Sequence, residues 1–263
     1  MNLEIVGRSA LVLAASKGLG RASAHALAAE GVRVMIGSRD EARVQQTARE
    51  LRDATGGDIR AVAVDVTDPA QCAHAFDAAR SAFGDVDILV NNAGGPPFGP
   101  FESFTEEQWQ KALEMNLLST VRFSRMALDG MKERRWGRIV NIVSLGTKSV
   151  LPGSVLSTGA RLGVIGMAKL LSDEVASFGI TVNNVGAGII LTDRVRETSL
   201  KQRLDRGMDE KAGLEDIAQS IPARRVGQPE ELGALVAFLA SNKAAYITGS
   251  TVAVDGGAVR SIY

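Results

Sequence analysis

Seven short apolar runs punctuate the chain, and longer stretches with helical spacing of apolar residues fill the intervals between them. The runs are Ala10–Ala14, Arg33–Ile36, Arg60–Val64, Ile88–Val90, Arg138–Val143, Thr181–Val185 and Thr251–Val254. Most are nearly continuous in apolar character, the pattern of strands covered by helices on both faces. The helical patterns are Leu19–Ala29, Glu41–Arg52, Ala70–Ala82, Glu106–Arg134, Val155–Phe178 and Glu230–Ala240. Thr105 ahead of Glu106-Glu107-Gln108, and Asp68 ahead of Pro69, read as helix starts. Such alternation predicts βαβ units, and so an α/β fold with a doubly wound, seven-stranded parallel sheet and helices on both faces. With no repeat, low-complexity segment or linker, the prediction is one domain over residues 1–263.

One stretch, about 186–225, shows neither pattern and is rich in charges of both signs. In a doubly wound sheet it follows a strand's carboxyl end, where ligands bind, which predicts a mobile substrate cap inserted in the domain. The alternative is a solvated loop with short helices of its own. Its Arg194, Arg196, Lys201, Arg203 and Arg206 offer charge to an acidic substrate, whereas Asp193, Glu197 and Asp205 point to a self-neutralising face.

Composition narrows the function classes. The 263 residues carry 30 basic and 30 acidic side chains and are 45% hydrophobic, as in a soluble globular protein. A formal charge of zero supplies no field for nucleic acid or anionic membranes, so neither is an expected partner. The single Cys72 cannot make an internal disulfide, which fits a reducing compartment such as the cytoplasm. His25 and His74 with that cysteine cannot supply a His/Cys metal site. No uninterrupted apolar run reaches the roughly 20 residues of a bilayer span, and Met1–Arg8 lacks signal-peptide anatomy.

The chemistry begins directly after the first strand, where Ala14-Ala15-Ser16-Lys17-Gly18-Leu19-Gly20 opens a helix. Glycines there let backbone N–H groups approach a pyrophosphate, whose charge the helix N-terminus favours. The second strand runs into Gly37-Ser38-Arg39-Asp40, where an NAD site places an acid against the ribose hydroxyls. Ser38 and Arg39, with Lys17 nearby, suit a 2′-phosphate instead, so NADP(H) is favoured over NAD(H). Asp40 is the one counter-signal, and a plain solvated helix start is the alternative for Arg39.

Further motifs follow the later strands: Asn91-Asn92-Ala93-Gly94, Asn116 within Met115-Asn116-Leu117, Ser144, and Val254-Asp255-Gly256-Gly257. With the closing stretch Arg225-Val226-Gly227-Gln228-Pro229-Glu230-Glu231 through Tyr246-Ile247-Thr248-Gly249, they resemble the short-chain dehydrogenase/reductase family over essentially the whole chain. The resemblance implies a Rossmann domain, a homotetramer or dimer, and a small-molecule carbonyl or acyl-thioester substrate. It places Asp65 and Val66 beside the adenine and Asn91, Ala93 and Gly94 along the cofactor, with Thr192 at the nicotinamide amide. Asn116 would order a water, and Ser144 would bond the substrate oxygen. Taken alone, Asn116 reads equally as filling a helix kink and Ser144 as a strand-end turn residue.

The chain departs from the family where a Tyr and, four residues on, a Lys are expected: those positions hold Ser157 and Arg161. Gly166 and Lys169 keep the register, and the only tyrosines are Tyr246 and Tyr263. Ala14 also replaces a glycine, and Ala187 a proline. A phenol with pKa near 10 can be tuned toward neutrality, whereas an aliphatic hydroxyl is far less acidic. Arg161 keeps the charge but cannot shuttle a proton. Lys148, or Tyr263 of a neighbouring subunit, are possible substitute acids. Losing a general acid costs roughly 10²–10⁴ in rate. The leading expectation is therefore an NADP(H)-dependent oxidoreductase of weak or altered activity. The alternatives are a non-catalytic nucleotide-binding scaffold and, given the Ala14 methyl, a protein that binds no dinucleotide.

Overall fold

The apolar runs form one parallel sheet in the computed structural model, which describes residues 1–261. Its strands are β1 (Ser9–Leu13), β2 (Arg33–Ser38), β3 (Ile59–Ala63), β4 (Ile88–Asn91), β5 (Gly137–Ser144), β6 (Ile180–Ala187) and β7 (Thr251–Val254). Their order is β3-β2-β1-β4-β5-β6-β7. The winding reverses between β1 and β4, so a crevice opens there at the carboxyl edge, where every strand delivers its following loop.

Period-two alternation splits the core between the two faces. Ala10 and Val12 of β1 join Leu27, Val44, Leu51, Leu232 and Val236, from α1 (Gly18–Ala29), α2 (Glu41–Thr55) and the later helix Pro229–Leu239. Leu11 and Leu13 join Phe76, Phe123, Met131 and Val175 on the other face. Those come from α3 (Pro69–Phe83), α5 (Ser119–Arg134) and α6 (Val155–Val175), the intervening α4 being Glu106–Leu113. Local signals set the helix ends: Asp68 accepts from the amides of Ala70 (2.8 Å) and Gln71 (3.2 Å), and Thr105 and Gln108 cap α4 reciprocally.

Three expectations change. The helix expected over Glu106–Arg134 is interrupted by a π-helical turn, Glu114–Leu118, between α4 and α5. The Asn116 amide donates to Ala112 O at 3.1 Å within that turn, so a polar side chain supports the widened backbone. The stretch expected to be irregular is largely helical, with α7 (Asp193–Val195), a π turn Arg196–Leu200, α8 (Lys201–Leu204) and α9 (Glu210–Gln219). Leu200, Ile217 and Val226 give it a small core of its own, and β6 extends to Ala187, so the insertion starts two residues later than the sequence suggested. Finally, Val155–Phe178 is long and apolar enough, by length and composition, to cross a bilayer. Ser157, Arg161 and Lys169 interrupt it, so it is not an unbroken apolar run in the sequence. In this fold it lies on the sheet, burying Leu156, Ala160, Val164, Ala168 and Val175.

Candidate active site

At the carboxyl edge of β1 the chain turns sharply. Ala14 adopts φ +47°, a left-handed conformation that a glycine takes freely and alanine only at a cost. Its carbonyl accepts from Asn92 Nδ2 at 3.3 Å, tying the turns after β1 and β4 together across the switch point. At Gly20 a methyl group would lie 2.5 Å from Ala14 O, so only glycine fits. Helix α1 begins at Gly18 with no side chain capping its first amides, which leaves those N–H groups for an anion. Leu19 packs against the core beneath.

The adjoining β2 end is polar. Ser16 Oγ and Ser38 Oγ are 2.9 Å apart, and Ser16 O accepts from Thr47 Oγ1 at 2.9 Å. Arg39 is exposed and has no hydrogen-bond or ion-pair partner among the described residues. Asp40 is committed elsewhere: it caps α2 by accepting from the Arg43 amide at 3.0 Å. Lys17, expected to stand with Arg39, is instead 2.9 Å from Asp193 Oδ2 of the cap, with Arg43 3.6 Å from the same oxygen. These neighbours, led by the Lys17 hydrogen bond, hold the Asp193 carboxyl below its ordinary range. Thr192 presses on the same turn, its Cγ2 3.4 Å from where a Gly18 side chain would begin. After β3, Asp65 Oδ1 accepts from Thr67 N (2.9 Å) and Oγ1 (2.8 Å), and half-buried Val66 follows it.

A row of amides crosses the sheet beneath the crevice. Asn91, Asn141, Asn184 and Thr251 are register partners on β4, β5, β6 and β7. Each asparagine donates to the next, at 2.9, 2.9 and 3.1 Å. Asn91 Nδ2 also reaches Ser124 Oγ at 3.3 Å, while its Oδ1 is buried without a partner. Asn91 therefore braces the sheet with its side chain, and Ala93 and exposed Gly94 carry the chain to the cleft. Sequence reasoning missed Asn141 and Asn184, although a lone polar residue flanked by Val140 and Ile142, and an Asn183-Asn184 pair inside the sixth run, were the available signals.

A cavity of about 10 Å³ lies against this row, lined by Asn91, Ala93, Asn116, Thr120, Asn141 and Arg161 among others. That is room for about one water, with polar groups to hold it. Asn116 thus supports its π turn with the side-chain amide, accepts from Thr120 Oγ1 at 2.9 Å with its main-chain carbonyl, and lines the cavity.

Ser144 ends β5, half-buried, with Oγ accepting from Gly146 N at 3.2 Å. Ser157 and Arg161 lie one helical turn apart on α6, and the Arg161 Nη1 donates to Ser157 Oγ in a short hydrogen bond. Arg161 is only 9% exposed and has no carboxylate partner among the described residues. Burial, reinforced by the charge of Arg194, pulls its pKa down to about 10, so the guanidinium stays protonated at neutral pH. Lys148 follows the turn after Ser144, half-buried, with no side-chain partner among the described residues. Tyr246 is fully exposed, and Tyr263 lies outside the described residues.

Arg194 was grouped in the sequence with the other cap cations, but the structure separates them. Arg196 pairs with Glu210, Lys201 with Asp205 at 3.0 Å, and Arg203 with Asp216 at 2.8 Å. Arg194 instead donates to Pro96 O at 2.7 Å and stacks over Phe98, 5.4 Å from its ring centre.

Comparison with known proteins agrees with this arrangement. The family model described as enoyl-(acyl carrier protein) reductase matches residues 13–259. The chain is 42% identical over 257 residues to the 3-oxoacyl-[acyl-carrier-protein] reductase of Escherichia coli (strain K12), covering 98% of each chain. It is 34% identical over 250 residues to the acetoacetyl-CoA reductase of Cupriavidus necator, covering 95% of this chain and 97% of that one. Its fold is similar to L-sorbose reductase from Gluconobacter frateurii, solved with NADPH and L-sorbose, at a TM-score of 0.95 and 32% identity over 100% of both chains. On a matching family model, near full-length relatives and a shared fold, this chain belongs to the short-chain dehydrogenase/reductase family.

Proposed function

We propose that this protein is an NADP(H)-dependent oxidoreductase acting on a carbonyl compound or acyl thioester, in which the Ser157–Arg161 pair takes over the work of a phenol and an ammonium. The carrying observation is the hydrogen bond from buried Arg161 to Ser157 Oγ. A guanidinium that donates to that oxygen leaves the hydroxyl proton free for a substrate oxygen and stabilises negative charge on Oγ when the proton leaves.

The residues present suit a dinucleotide. The uncapped start of α1, the glycine-only approach at Gly20 and the left-handed backbone retained at Ala14 form the phosphate turn. Ser16, Lys17, Gly18, Leu19, Ser38 and Arg39 would hold the adenosine end, Asp65 and Val66 the base, and Asn91, Ala93, Gly94 and Thr192 the remainder. Free Arg39 favours a 2′-phosphate. A dinucleotide bound there would supply or accept the hydride at the carbonyl carbon. Ser144 donates a hydrogen bond to the substrate oxygen, since its own Oγ is only an acceptor toward Gly146. Ser157 delivers the proton, and the chamber beside Asn116 and Arg161 has room for a replenishing water. The exposed Leu118, Leu162 and Leu170 on the π turn and α6 support pairing of subunits into a dimer or tetramer. Buried lone Cys72 supports a reducing cytoplasm.

The test is NADPH consumption across a carbonyl panel, read alongside cofactor binding by Trp fluorescence. The expected result is slow turnover that falls on the order of 10²-fold in Ser157→Ala while NADPH affinity holds. Saturable NADPH binding with no hydride transfer to any member would establish the non-catalytic scaffold instead.

A further inference from the structure

Arg196, Lys201 and Arg203 of the 186–225 stretch, and Lys17 in the phosphate turn, stand beside carboxylates. Lys148, Arg161 and Arg194 have no carboxylate within ion-pair distance among the described residues, and the charge that Arg161 feels most is the like charge of Arg194.

Gly99 N donates to Gly153 O at 2.9 Å, joining the loop after β4 to the loop that leads from Ser144 into α6. Phe98 lies against that junction, with Cδ1 3.6 Å from the side-chain position of Gly153. Arg194 covers Phe98 from the cap and sits 3.5 Å from the side-chain position of Gly95. Three separate loops thus converge on one half-exposed aromatic ring with a guanidinium above it. One Nη2 bond to Pro96 O anchors the group, and its other N–H donors retain the fork that matches a carboxylate. Phosphates of a dinucleotide do not explain this charge, because the phosphate turn lies after β1, with its own lysine.

Resting on the reading of this cleft as catalytic, we infer that its substrate is an oxo acid: a carbonyl compound whose own carboxylate docks on Arg194, with Phe98 against the connecting carbons. A neutral ketone or ester would offer the Arg194 fork no carboxylate.

The experiment uses the full chain with saturating NADP⁺ and measures calorimetric affinities for 2- and 4-oxo acids of four to eight carbons and for their methyl esters. Acids are expected to bind on the order of 10- to 100-fold more tightly than their esters, the range for a charge-assisted hydrogen-bond pair. Arg194→Gln should bring that ratio to about one, while Arg206→Gln, on the exposed cap surface, should preserve it. Equal affinities, no binding of any acid, or a ratio that survives Arg194→Gln would overturn the inference. Turnover separates the two claims: reduction of esters and acids alike keeps the enzyme and discards the oxo acid, whereas tight, Arg194-dependent acid binding without NADPH consumption does the reverse.

Discussion

Arg161→Met should make the protein more stable while damaging its cleft. Burial lowers the Arg161 pKa from the ordinary guanidinium range to about 10, and each unit represents 1.36 kcal/mol between protonation states, so the charged form is disfavoured by about 3 kcal/mol relative to the unfolded chain. A base with a depressed folded pKa subtracts stability at every pH below that value, here about 10, and the penalty fades as pH rises above 10 toward the ordinary range. Methionine fills similar space and adapts to irregular surroundings, while the lost hydrogen bond to Ser157 costs about 1 kcal/mol. The balance is a gain of about 2 kcal/mol, or roughly 4–8 °C for a chain of this size, measured by thermal denaturation at pH 7. Arg138 is the informative contrast, because its pKa is also lowered to about 10, first by burial and then by Arg8. Its guanidinium, however, donates to the carbonyls of Ser241 (3.2 Å), Gly137 (2.8 Å) and Gly179 (3.0 Å) and stacks 4.3 Å from Trp136. Arg138→Met strands those buried acceptors and should destabilise by about 2 kcal/mol or more. An Arg161→Met protein that melts at or below the parent temperature would refute the idea that this charge is kept for function at the expense of stability.

Three further outcomes follow from the same geometry. Ala14→Gly relieves a left-handed alanine worth about 1–2 kcal/mol, against about 0.4–1 kcal/mol of added unfolded-state entropy; the expected gain is about 1 kcal/mol by urea titration, and a loss would mean that the methyl packs productively. Arg39→Ala should weaken NADPH binding on the order of tenfold and leave NADH binding unaltered, as read by Trp fluorescence; a parallel loss for both cofactors would remove Arg39 from the 2′-phosphate site. Glu231, held at a pKa of about 2 by its hydrogen bond from Arg225 and then by the Gln228 amide, adds stability that is present above pH 4.5 and lost as pH falls through 2. Glu231→Gln should flatten the acid limb of the urea midpoint between pH 5 and 2, an effect kept modest by solvent exposure.

Strand positions were legible to within a residue or two: Thr251–Val254 is reproduced unchanged, and Arg138–Val143 gains only one residue at each end. Apolar continuity and helical spacing are local properties, and a sheet buried on both faces leaves little choice of register. The spacing of Ser157 and Arg161 on one helix face was equally readable, and the structure brings them into contact. The π turn was not, because an asparagine inside a helical pattern looks the same whether it faces water or fills a widened turn.

The chain order of its apolar runs thus determined the layered fold, and the residues themselves put a glycine turn at the head of α1 and Ser157 and Arg161 four residues apart on one helix. Tertiary structure decided which charges are answered. It set Lys17 against Asp193, paired Arg196, Lys201 and Arg203 with acids, left Arg194 on Phe98 and buried Arg161 with no carboxylate partner among the described residues. Hydrophobic periodicity is written over a few neighbouring residues, whereas Coulomb pairing depends on distance and burial between segments that meet only when the chain has folded.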